Sequence, residues 1–156
     1  MRVFGLALIA LAAGVFTLDY VKRLSERARL LGELCAFLEH ACARIDGYAE
    51  PVIRIIEDYF KDKGGAAYAI VRETAEGKRD SRVLPSLLSP EETESLKKCL
   101  SIDLMSLKDE QAARLAAAAD YFRAHKNSAE GLSQRRGKSA LLIYGAAVIG
   151  ALILII

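Results

Sequence analysis

The chain has 156 residues, enough for one ordinary domain of about 100–150 residues and too few for a two-domain enzyme that also carries membrane anchors. Hydrophobic residues make up 53% of it, and every charged side chain except Arg2 lies between residues 19 and 138, where 21 Lys and Arg face 20 Asp and Glu. A near-neutral, highly charged centre excludes a dedicated nucleic-acid binder, which carries a basic excess; three cysteines cannot close into a disulfide framework, and scarce proline with unperiodic glycine excludes a collagen-like chain.

Residues 3–18, VFGLALIALAAGVFTL, form the first uncharged run, at the short end of the roughly 17–25 residues that cross a hydrocarbon core. They predict an N-terminal transmembrane helix over 1–19. The competing reading is a secretory leader, because Ala10-Leu11-Ala12 has the small-x-small form of a cleavage site behind Arg2. Against it, the apolar run continues past that site to Leu18.

Val21, Leu24, Ala28, Leu31, Cys35, Leu38, Cys42 and Ile45 follow at alternating spacings of 3 and 4, an unbroken heptad stripe. Leu30, Leu34, Phe37 and Ala41 adjoin it, so the apolar face is wider than a two-stranded coiled coil needs and suits a multi-helix bundle. The stalk helix is predicted to run directly out of the first span and to end at Asp46-Gly47. A second helix is predicted with Pro51 at its first position and Val52, Ile55, Ile56, Tyr59 and Phe60 on one side.

Gly64-Gly65 closes it, and a short third helix groups Ala66, Ala67, Ile70, Val71 and Thr74 before Gly77. Residues 76–82, EGKRDSR, read as a solvated loop. Ser89-Pro90-Glu91-Glu92 is a helix start: an N-cap serine, proline next, and a glutamate three residues on to complete a capping box. Thr93, Leu96, Cys99 and Leu100 supply that helix's apolar side. The last helix is predicted from near Ser106, with Asp109 as a weaker capping partner and Leu115, Ala118, Phe122, Ala129 and Leu132 on one face.

It continues through Gly131 and Gly137 into residues 139–156, SALLIYGAAVIGALILII, a second transmembrane helix. The prediction is therefore all-α: a bundle of about four to six helices over 20–138 between two membrane helices. Lys22, Arg23, Arg27 and Arg29 lie inside the first span, and Arg135, Arg136 and Lys138 precede the second, so both spans place the central domain in the cytoplasm. Tyr20 and Tyr144 fall near the same boundary. Ala10 with Gly14, and Ala146 with Gly150, are small-xxx-small pairs that let spans approach, within one chain or between copies of a homo-oligomer.

Motifs for catalysis are missing. A nucleophilic serine or cysteine needs a base, and the histidines are His40 and His125 alone. There is no nucleophile elbow, phosphate-binding loop, dinucleotide fingerprint or zincin helix. Cys35, Glu39 and Cys42 share about 60° of a helical wheel and could begin a metal site, but His40 points more than about 100° from Cys35. Cysteines in the heptad stripe read more simply as small apolar residues, and Cys99 likewise as a reduced thiol on an apolar face. His125, three residues after Phe122, reads as a satisfied bundle histidine, and Asp19 as an interfacial carboxylate within reach of Arg23. No enzyme activity, cofactor or nucleic-acid partner is expected. A sensor or regulator binding a signal or a metal through Cys35, Glu39 and Cys42 is the alternative.

An apolar first span, RLSERARLLGELCAFLEHACARIDGYAEPV over 23–52, an all-helical middle and LLIYGAAVIGALILII at 141–156 together resemble the stage III sporulation protein AB family of endospore-forming bacteria. The likeness rests chiefly on Arg23-Leu24-Ser25-Glu26-Arg27 with the leucines that follow, the Pro51-Val52 helix start and the glycine-bearing closing span. The resemblance implies a component of the mother-cell membrane around the forespore. It implies a soluble part similar to the cytoplasmic domain of the type II secretion platform protein. It also implies a scaffold role beneath a channel, with a cytoplasmic secretion-type ATPase and other membrane subunits of the complex as partners.

Overall fold

The uncharged run and the heptad stripe that follows it contain no strong helix breaker, and they fold as one helix. In the computed structural model α1 runs Arg2–Tyr48, 47 residues without interruption. The structure describes residues 2–48, 50–77, 87–100 and 108–153; within the two long helices, side chains are described over 14–48 and 109–139, together with Ala12, Leu142, Gly145 and Ala146. Among the described residues there are five α-helices and no strand.

α2 is Val52–Phe60 and α3 is Ala66–Ala75. α4 is Pro90–Leu100 and α5 is Lys108–Ile153. Pro51 stands at the N-cap of α2, with extended backbone (φ −62°, ψ 135°), not at the first helical position that the sequence predicts. Its carbonyl accepts from Arg54 N at 3.0 Å and Ile55 N at 3.2 Å, so the proline nucleates the turn from one residue further out. α3 stops at Gly77, whose φ of +69° lies in the left-handed region that glycine occupies without strain, and Gly77 N donates to the Thr74 carbonyl at 3.2 Å. The remainder of the predicted 76–82 loop and the Ser106 start of the last helix lie outside the described residues.

The chain divides into two compact units, residues 29–127 and residues 1–28 with 128–156. In the first, α1 and α5 run antiparallel: Cys42 faces the Ala112 carbonyl, and Cys35 faces that of Ala119. α3 packs on α2 and on α4. Both apolar stripes of α1 are buried here, with Leu31, Leu34, Phe37, Leu38 and Ala41 at 0% exposure, and Ile55, Ile70, Leu96 and Phe122 of the other helices are equally closed to solvent. Phe37 joins a ring cluster, 5.6 Å from Tyr59 and 5.3 Å from Phe60, and Phe60 passes the contact on to Tyr68 of α3 at 5.6 Å. Arg44 fastens the end of α1 to α2 through Glu50 at 2.8 Å and Asp58 at 3.6 Å.

In the second unit Val21 and Leu24 are half-buried, and Gly14, Ala28 and Ala129 are buried. The spans predicted over 1–19 and 139–156 depend on side chains that lie largely outside the described residues. Among the described residues, no helix is long and apolar enough to cross a membrane.

Candidate functional site

Two polar ties organise the bundle unit, one around the buried Glu92 and one at the exposed edge of α1 and α5. The first is the start of α4. Ser89 Oγ accepts from Glu92 N at 3.1 Å, and Glu92 Oε2 accepts from Ser89 N at 2.7 Å, a reciprocal capping box of the form the sequence predicts. Glu92 does more than cap. Its side chain has 0% exposure, and its other oxygen, Oε1, lies 3.2 Å from His125 Nδ1 of α5. Placing a carboxylate in the interior is costly unless its lone pairs are matched, and here a backbone N–H and an imidazole match them. Tyr121 stacks on His125 at 4.3 Å, and its phenol is pushed up by burial and by the nearby Glu91 and Glu92. His125 is therefore a packed, satisfied bundle residue.

The second tie joins α1 to α5. Arg123 donates to Glu39 Oε1 at 2.5 Å and to Asp120 at 2.7 Å, and the Cys35 thiol lies 3.4 Å from the same Glu39 oxygen. The Arg123 hydrogen bond, then that of Cys35, holds the Glu39 carboxyl below its ordinary range. The structure does not gather Cys35, Glu39 and Cys42 into a chelating set. The Cys42 thiol turns to the Ala112 carbonyl at 3.5 Å, and among the described residues no three His, Cys, Asp or Glu side chains are grouped as a cation would require. A guanidinium occupies the face of Glu39 where a metal would have to approach.

All three thiols are raised from their ordinary value, chiefly by burial; Glu39 adds to the effect at Cys35 and Asp46 at Cys42. Cys99 is pushed up to about 12 and rests against the Leu96 carbonyl at 3.2 Å. Such thiols are protonated at neutral pH and are poor nucleophiles. Cys99 lines an open cleft of about 540 Å³ between α4 and α5, with Lys98, Arg114, Ala118 and Tyr121. His40 is exposed and packs on the Tyr59 ring at 5.0 Å.

The predicted membrane-boundary cations divide by helix. On α1, Lys22 pairs with Glu26 at 4.0 Å, Arg23 with Asp19 at 3.0 Å and Arg29 with Glu33 at 3.4 Å. Arg27 is half-buried. On α5, Arg136 donates to the Tyr20 hydroxyl with its guanidinium 5.8 Å from the ring centre, while Arg135 and Lys138 are exposed. No family model, characterised protein or solved structure matches the chain. Sequence reasoning missed Arg123 as the partner of Glu39 and the second role of Glu92; each pairing joins residues far apart in the chain, and no local pattern marks it.

Proposed function

We propose that the chain is a non-enzymatic membrane scaffold of a sporulation secretion complex, the channel between mother cell and forespore. In this reading the runs 3–18 and 139–156 cross the mother-cell membrane. The helical bundle stands in the cytoplasm, where it docks a secretion-type ATPase and other membrane subunits. The observation that carries the membrane part is apolar exposure at the described edges of those runs: Phe16 is 82% exposed, Leu142 75%, Leu18 73% and Val15 61%. Large apolar side chains standing in the open beside both runs call for a non-aqueous surrounding or a partner.

The cations beside both runs favour a cytoplasmic bundle. The raised thiols and the carboxylates already placed against Ser89, His125 and Arg123 suit a rigid supporting part better than a reactive one. The sporulation assignment rests on the family resemblance of the sequence. Deleting the gene is expected to arrest sporulation after engulfment while vegetative growth continues; a normal spore yield from a clean deletion would overturn the assignment.

A further inference from the structure

Leu132, Arg135, Lys138, Leu142 and Ala146 recur on α5 at spacings of 3, 3, 4 and 4, which keeps them inside a sector of about 120°. All five are exposed, Leu142 at 75%. The stripe thus passes from two cations to an apolar edge, and Lys138 stands about 6 Å along the axis from Leu142. That is roughly the thickness of one headgroup layer, half the difference between a whole bilayer and its hydrocarbon core. Unlike Lys22 and Arg23, which are answered by Glu26 and Asp19, the Arg135 and Lys138 side chains carry no ion pair among the described residues.

The surrounding charge is uneven in the same sense. The unit of residues 1–28 and 128–156 has seven Lys and Arg against three Asp and Glu, a net +4, whereas residues 29–127 have 15 against 17, a net −2; together they give the chain's +2. A ligand fitting this stripe needs an anionic head about one helical turn above an aliphatic tail. We infer that Arg135 and Lys138 form a headgroup site for an anionic phospholipid, with its phosphate between the two cations and an acyl chain along Leu142 and Ala146. This deepens the proposed function and rests on its membrane reading.

The test uses the full chain, purified in detergent, stripped of lipid, and offered dioleoyl-phosphatidylglycerol or dioleoyl-phosphatidylcholine, with retained lipid read by native mass spectrometry. The anionic phosphatidylglycerol is expected to be retained on the order of tenfold better, and Arg135→Gln with Lys138→Gln to abolish the preference. Arg114→Gln, a cation outside the stripe, is expected to leave it intact. Equal retention of the two lipids, or an unchanged preference in the double variant, overturns the site. A lipid-free dimer that the double variant disperses also overturns it, and assigns the stripe to self-association. Alkaline carbonate extraction of cell membranes separates the two levels: a chain released into the soluble fraction overturns both the membrane reading and the site, whereas a retained chain with no lipid preference overturns the site alone.

Discussion

Glu92 has no solvent exposure, yet both of its oxygens are matched, one by Ser89 N and one by His125 Nδ1. Its removal is expected to cost more than a cap. Ser89→Ala loses one side-chain acceptor at an N-cap, about 1 kcal/mol, whereas Glu92→Ala also empties a fully buried position and removes its contact with His125, about 2–3 kcal/mol. Urea denaturation of the full chain in detergent reads both, and equal costs would deny Glu92 its second role. The ionisable groups set opposite limbs of the pH–stability curve. Glu39 lies below its ordinary 4.5, so the unfolded state binds the extra proton and the contribution of Glu39 is present above that pH and lost as the pH falls. Cys99 lies above its ordinary 9.0, so its contribution is complete below that value and is lost as the pH climbs toward about 12. Glu39→Gln should flatten the acid limb and Cys99→Ala the alkaline one. At pH 7 the native thiols should alkylate more slowly than those of the urea-unfolded chain, with Cys35, at 5% exposure, the slowest; labelling of native Cys35 at the unfolded rate would contradict its burial.

At the scale of elements, the two stripes of α1 carry the bundle, and Phe37 ties α1 to the Tyr59 and Phe60 rings of α2. Phe37→Ala and Phe122→Ala, each emptying a position with 0% exposure, are expected to cost about 3–5 kcal/mol, whereas Ala43→Ser on the open face of α1 should be near neutral. Thermal melts followed by circular dichroism measure the difference. The positions of these elements are legible in the sequence because each signal is local: the 3–4 spacing from Val21 to Ile45, the Ser89–Glu92 box, and the left-handed glycine after Ala75 act within one or two turns. The one-residue shift at Pro51 is equally local, since proline serves at an N-cap as well as at the first helical position. What the sequence does not disclose is partnership. Glu39 with Arg123, Glu92 with His125, and Phe37 with Tyr59 and Phe60 each join different helices, and only the packing of α1, α2, α4 and α5 selects them.

At the scale of the whole molecule, polar and apolar parts segregate along the chain. Charged residues fill the middle, and large apolar side chains are bare at the described ends of α1 and α5. On the proposed topology that segregation is what a hairpin of two membrane helices around a cytoplasmic bundle requires. Scaffolding then depends on how the bundle is held, not on a reactive group. The most direct measurement is the accessibility of a single cysteine at an exposed position of the bundle. With Cys35, Cys42 and Cys99 replaced by alanine, Lys61→Cys in the turn after α2 should resist a membrane-impermeant maleimide in intact cells and react fully once the cells are lysed; labelling before lysis would contradict a cytoplasmic bundle.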